Sequence, residues 1–260
     1  MIPKIIHYCW LSNDPVPEHL EKCMESWKRV LKGYEFIKWD FNRFDKESSR
    51  WVSQAFDNKK YAFAADYIRL YALYNYGGIY MDMDVEVLRP FDDLLNANQL
   101  ICYEADHDLF EMATIGAPKG SAWVKDILSY YDNRSFIMPN GEFDTLTLPC
   151  VAHKSLDGKY HINDTYNGDT IKPHLTVYPS DYFSPKSYST GKLFLTKNTY
   201  SIHHFEGSWL SDEARYNLDI QKKLQFLPNL ISSKLASVIT SLKFKGVQET
   251  LKLIFRKIFE

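Results

Sequence analysis

Residues 60–87 read KYAFAADYIRLYALYNYGGIYMDMDVEV, and the two halves of this stretch follow different periods. From Lys60 to Tyr76 the apolar residues Phe63, Tyr67, Leu70, Tyr71 and Tyr74 fall on one helix face, and Gly77-Gly78 supplies a stop. From Ile79 to Val87 the period drops to two. Ile79, Met81, Met83, Val85 and Val87 alternate with Tyr80, Asp82, Asp84 and Glu86, which predicts one strand with an apolar and an acidic face. Asp82 and Asp84 then point the same way, close enough to address one hard divalent cation with a pyrophosphate completing its shell. A cation held there would act as a Lewis acid on a departing nucleoside diphosphate. A bare D-x-D also occurs on solvated strand edges, so its neighbours decide its meaning.

Upstream, Ile5 to Trp10 is a short apolar run that ends in Leu-Ser-Asn-Asp-Pro, the pattern of a buried strand entering a loop. Residues 17–31 place Leu20, Cys23, Met24, Trp27, Val30 and Leu31 at helical spacing before Gly33, and Tyr34 to Trp39 reads as a second strand. Strand, helix, strand at these lengths opens a doubly wound α/β sheet, whose ligand site lies outside the carboxyl ends of the strands. Downstream, strands are predicted at 99–104 and 112–117, a helix at 120–131 and a last strand at 201–205. Residues 132–200 are rich in turn formers and yield no ordered reading.

Asp66 and Arg69 lie three apart and so share a helix face beside the acidic strand. Such pairs are common surface ion pairs. Next to a D-x-D, however, they suit sugar hydroxyls and, for the planar fork of Arg69, diphosphate oxygens. The segment from Ala64 to Asp84 resembles the glycosyltransferase sugar-binding region containing the DXD motif. This is family 32, related to the yeast initiating mannosyltransferase and to the catalytic domains of clostridial glucosylating toxins. The resemblance rests on the helix with Asp66 and Arg69, the Gly77-Gly78 turn, Y-x-D-x-D at 80–84 and the opening Ile-Pro-Lys-Ile-Ile-His-x-x-Trp. It covers the first 90 residues well and the remainder sparsely.

The resemblance implies a GT-A type fold, a Rossmann-like mixed sheet flanked by helices, and transfer of a hexose or N-acetylhexosamine from a nucleotide sugar to a glycan acceptor. It also implies retention of anomeric configuration. Asp66, Arg69, Asp82 and Asp84 would be the catalytic set. Trp10, Tyr80, Ser208 and Trp209 would join them around the donor, with Trp10 stacking on a base that is most often uracil. The segment Ser201 to Trp209 holds His203-His204-Phe205-x-Gly207 ahead of Trp209, similar to the metal-binding segment of retaining transferases of the same fold. That alignment selects His204 as a third metal ligand beside Asp82 and Asp84, with His203 on the opposite face of the strand. Two carboxylates and a histidine suit Mn²⁺ (or Mg²⁺) better than Ca²⁺.

In place of the family's T-G-P-like segment the chain has Glu142 to Pro149, so the acceptor pocket departs from the pattern. Asp106, His107, Asp108 and Glu111 read as an acidic, solvated loop outside the catalytic list. Three other readings fit less well. A phosphatase of the haloacid dehalogenase type expects Thr or Val where Glu86 stands. A carbohydrate-binding module without turnover has no need of the metal set. A glycoside hydrolase needs opposed carboxyl groups about 5 or 6.5–9.5 Å apart, which two residues on one strand face do not supply.

Composition is that of a globular protein, with 45% hydrophobic and 25% charged residues over 260 positions. Aromatics reach 15%, weak support for stacking on sugars and bases. The four cysteines, Cys9, Cys23, Cys102 and Cys150, lack metal-ligand spacing, and the opening reads directly as a strand rather than a leader, so a cytoplasmic setting is expected. Residues 221–260 hold eight Lys/Arg against two acidic residues, while the rest carries 23 against 31. The acidic body argues against nucleic acid. The basic tail, with leucines and isoleucines at helical spacing, suits either packing on the rest of the chain or an anionic membrane surface. The expected organisation is a catalytic domain at 1–220 and a basic, helical extension at 221–260, serving a glycan or lipid-linked glycan acceptor in capsule or lipopolysaccharide assembly.

Overall fold

Glycines 77 and 78 set the architecture. Both have positive φ, 67° and 106°, and a Cβ would lie 2.6 Å from Lys119 N at the first and 2.7 Å from Ile5 O at the second. Only glycine therefore lets helix α3 (Tyr61–Tyr76) stop and strand β3 (Gly78–Met81) start at once inside the sheet. The computed structural model describes residues 1–106, 108–163, 173–207 and 210–259, with Asn229 and 253–259 as backbone only.

Strand β3 is central. On one side it pairs parallel with β1 (Ile5–Cys9), which pairs parallel with β2 (Glu35–Trp39). On the other it pairs antiparallel with β6 (Phe110–Ala117), which pairs antiparallel with β5 (Leu100–Tyr103). The order β2-β1-β3-β6-β5 makes the mixed α/β sheet expected from the sequence. Alternation along β3 divides the core between its faces. Tyr80 belongs to a core cluster with Trp51, Ile68, Leu73, Val124 and Val151 from α2 (Arg50–Asp57), α3, α4 (Ala122–Leu128) and α5 (Leu148–Leu156). Ile79 and Met81 face the opposite way, toward Leu20 and Trp27 of α1 (Glu18–Val30), with Phe91 and Phe183.

The buried His7 ties β1 to this centre. Trp39 Nε1 donates to its Nδ1 at 3.0 Å, which leaves the ring proton on Nε2 to donate to Gly77 O at 2.8 Å. Burial, aided by nearby Arg43 and opposed by the Gly77 hydrogen bond, lowers its pKa below the ordinary histidine value.

One sequence expectation is corrected. Residues 79–87 are not a single strand: β3 ends at Met81, residues 82–84 form a turn with Val85 N donating to Asp82 O at 3.1 Å, and β4 (Val85–Val87) begins a second sheet. There β4 pairs antiparallel with β9 (Ser201–His203). The turn keeps Met83 buried, so the apolar alternation persists across the break. Within 132–200, which gave no ordered reading, lie α5, with Pro149 in its first turn, and the short parallel pair β7 (His161–Ile162) and β8 (His174–Leu175).

These elements form a first compact unit, Met1–Lys186 with Leu193–Phe205; Ser187–Lys192 and Glu206–Glu260 form a second. The boundary expected at 220/221 falls within α6 (Asp212–Lys223) of the second unit. Ser211 caps that helix by accepting from Ala214 N at 3.2 Å. Helix α7 (Asn229–Phe259) is interrupted at Gly246, where φ is 79°. Among the described residues its buried positions are small or polar, Ser232, Ala236, Thr240, Ser241 and Thr250, and Asn217 of α6 donates to Thr240 Oγ1.

Candidate functional site

Helix α3 brings Asp66 and Arg69 to the end of β3, both nearly buried. Arg69 Nη2 lies 3.1 Å from Asp66 Oδ1 and 3.2 Å from Asp82 Oδ1, while Nη1 donates to Asp82 Oδ2 at 3.3 Å and to Met112 O at 2.8 Å. Tyr80, 1% exposed, donates its hydroxyl to Asp82 Oδ1 at 2.9 Å and lays its ring 4.6 Å from the guanidinium. Tyr80 thus meets Asp82 and Arg69 rather than solvent. The backbone completes the setting of Asp82, whose N–H donates to Ala113 O of β6 at 2.8 Å.

Because 82–84 is a turn, the two aspartates are placed by its geometry and not by strand alternation. Asp84 comes to His203, with Oδ2 3.4 Å from Nε2. Asp82, Asp84 and His203 each offer one ligand atom, all within 4.8 Å of one another. The sequence reading set His204 with the aspartates, whereas the structure brings His203 beside them. The two histidines do point to opposite sides of β9, but His204 shares the side of Glu86, with Nε2 3.1 Å from Glu86 Oε2. His203 is the histidine that reaches the aspartates.

Glu111 also departs from the expectation, lying within β6. It is 2% exposed, not part of a solvated loop. Its Oε2 lies 3.1 Å from His203 Nδ1, and its Oε1 accepts from Ala113 N at 2.7 Å. Of the other residues of that acidic stretch, Asp106 is half-buried, Asp108 is exposed and His107 lies outside the described residues.

Four carboxylates, Asp66, Asp82, Asp84 and Glu111, thus face two cationic groups, Arg69 and His203. Burial raises Asp66 to about 6, with Asp82 adding to the shift and Arg69 opposing it. Asp82 is raised by burial and by Asp84, again against Arg69. Burial would lower His203, but Glu111 and Asp84 hold it well above the ordinary histidine value. Burial would raise Glu111, and His203 outweighs that and lowers it. Nearby Glu104 is pushed up to about 7 by burial and by Glu111. A buried excess of negative charge around two carboxylates and an imidazole fits a divalent cation of the Mn²⁺ or Mg²⁺ type.

Trp10 stands just past the carboxyl end of β1, half-buried, with its indole N–H on Asp14 O at 3.0 Å. Ser208 and Trp209 lie outside the described residues.

The family described as glycosyltransferase sugar-binding region containing DXD motif matches residues 17–101, the segment that carries Asp66, Arg69, Asp82 and Asp84. In that segment the resemblance read from the sequence holds. Among curated proteins, inositol phosphoceramide mannosyltransferase 3 of Schizosaccharomyces pombe is 35% identical over 99 residues, 36% of this chain and 28% of that protein. Mannosyl phosphorylinositol ceramide synthase SUR1 of Saccharomyces cerevisiae is 36% identical over 99 residues, 36% of this chain and 26% of that protein. The chain therefore spans under a third of the length of these relatives. Among solved structures, the PaToxG glycosyltransferase aligns with a TM-score of 0.43 at 17% identity, over 60% of this chain and 70% of that one.

Proposed function

We propose that this protein is a retaining glycosyltransferase of the GT-A type that moves a hexose or N-acetylhexosamine from a nucleotide sugar to a glycan acceptor. The observation that carries the reading is the meeting of Asp66 and Arg69 with Asp82, Asp84 and His203 at the end of β3, on a segment that matches a DXD glycosyltransferase family. Asp82, Asp84 and His203 would hold Mn²⁺ or Mg²⁺, which supplies Lewis-acid stabilisation of the diphosphate leaving group when bound. Arg69 fixes Asp82 and adds positive charge beside it. Asp66, held by Arg69, is placed to accept hydrogen bonds from donor-sugar hydroxyls. With Trp10 as the base platform a UDP-sugar is favoured. The relatives' names place mannose among the sugars to test.

The proposal extends to a lipid-linked acceptor in capsule or lipopolysaccharide assembly at the cytoplasmic side of an anionic membrane. Helix α7 supports the membrane contact: it buries Ser232, Ala236, Thr240 and Ser241 while Leu230, Ile231, Leu235 and Leu242 are more than 40% exposed among lysines. No helix among the described residues is long and apolar enough to cross a membrane. An interfacial helix has no need to be.

The test is nucleoside diphosphate release from a panel of UDP- and GDP-sugars, mannose included, with Mn²⁺ or EDTA, in wild type and Asp84→Asn. Metal-dependent release from one donor, lost in the variant, is expected. Failure of every donor to bind or react with folded, metal-loaded protein would sink the reading.

A further inference from the structure

Strand β6 supplies the second surface of the site through three consecutive residues. Met112 O accepts from Arg69, Ala113 O accepts from the N–H of Asp82, and Glu111 meets His203. Only the last of these is a side chain, and it is a charged group at 2% exposure. Both of its oxygens are engaged: Oε1 takes the N–H of Ala113 at 2.7 Å, which fixes the plane of the carboxylate, and Oε2 lies 3.1 Å from His203 Nδ1. A carboxylate accepts and does not donate, so the Nδ1 side of the ring must carry a proton. Nε2 in turn faces Asp84 Oδ2 at 3.4 Å, so without a metal both nitrogens meet carboxylates and the ring carries both protons. A metal ion at this site would replace the proton on Nε2, while Glu111 would keep the one on Nδ1.

We propose that Glu111 is the positioning residue of the metal site, fixing the tautomer and ring orientation of His203 so that Nε2 is presented as a ligand beside Asp82 and Asp84. Metal-ligating histidines commonly give their other N–H to a carboxylate, and loss of that partner typically costs about 10–100-fold in metal affinity. His204 lacks this arrangement, because its Nε2 meets Glu86. The inference rests on the metal-binding reading above and adds a residue outside the matched family segment.

The experiment is a double-mutant cycle on Mn²⁺ binding, read by titration calorimetry and by the electron paramagnetic resonance of free Mn²⁺, with no sugar donor present. Glu111→Gln keeps the size of the side chain but cannot offer a carboxylate oxygen to both partners. Its dissociation constant for Mn²⁺ should rise about 10–100-fold. In a His203→Ala background the same substitution should produce no further change, a result that a general loss of packing would not give. A second measurement needs no variant: ¹⁵N-histidine spectra of the wild type with Mg²⁺ should show His203 protonated at Nδ1. Protonation at Nε2 in that spectrum, or unchanged Mn²⁺ affinity in Glu111→Gln while His203→Ala and Asp84→Asn lose it, would overturn the role of Glu111. If His203→Ala and Asp84→Asn also bind Mn²⁺ like the wild type, the metal site itself is what fails.

Discussion

The guanidinium of Arg69 meets the carboxylate of Asp82 with both terminal nitrogens, Nη1 to Oδ2 at 3.3 Å and Nη2 to Oδ1 at 3.2 Å. Lysine cannot reproduce this fork, so Arg69→Lys is expected to lower donor turnover at least tenfold even where the protein folds. Arg69→Ala leaves Asp66 and Asp82 without their cation in a buried site and should cost about 3–5 kcal/mol in urea unfolding. An alanine variant with wild-type stability would show that the ion pair is not holding the site.

One arginine serves two buried carboxylates; it reaches Asp66 with one nitrogen and Asp82 with two, and burial raises Asp66 to about 6. A carboxyl raised on folding contributes stability that is complete below about pH 4 and is lost as pH rises through about 6. Asp66→Asn removes the surplus charge and leaves Arg69 paired with Asp82. Relative to wild type it should gain on the order of 2–3 kcal/mol between pH 4.5 and 7.5, while losing transferase activity. Denaturant unfolding at the two pH values, subtracting wild type from variant, reads the effect; a constant difference would contradict it.

His7 titrates with the opposite sign. Its pKa is lowered by burial between Trp39 and Gly77, so the stability it contributes is present above about pH 6.5 and is lost as pH falls. Glutamine offers one acceptor and one donor, as the neutral ring does here. His7→Gln should therefore lose less stability than wild type between pH 7.5 and 5.5. Equal losses in the two proteins would argue against a neutral His7.

The two adjacent histidines make a sharp comparison. His203→Ala should weaken Mn²⁺ binding by one to two orders of magnitude, and His204→Ala, which releases only the contact to Glu86, should change it less than threefold. The reverse ranking in a calorimetric titration would make His204 the ligand.

Membrane docking predicts that the protein sediments with vesicles containing phosphatidylglycerol and not with pure phosphatidylcholine, and that added salt releases it. Leu230, 68% exposed, and Val247, 64% exposed, are the residues to change. Leu230→Glu with Val247→Glu should abolish binding without unfolding the protein. Retention of binding by the double variant would reject the surface.

The helix with Asp66 and Arg69, the glycine turn and the D-x-D were legible because local periodicity and stops determine them. The break after Met81 was hidden. Met83, Val85 and Val87 continue the apolar alternation straight through the turn, so nothing in the spacing marks where one sheet ends and the next begins. Alternation likewise predicts that His203 and His204 face opposite ways, yet which one meets the aspartates depends on the pairing of β9 with β4, a contact across more than a hundred residues. Glu111 was obscured by acidic neighbours, and its partner lies 92 positions away. Long-range pairing of this kind leaves no local pattern to read.

Pairing of β9 with β4 has one more consequence. Sliding β9 by a single residue would exchange the sides of His203 and His204 and turn Ile202, now 5% exposed, away from its present side. The chemistry of two identical imidazoles cannot choose between those alignments. The choice falls to an isoleucine without a polar side-chain atom, whose burial makes the wrong alignment expensive, so a packing residue selects which histidine the two aspartates receive.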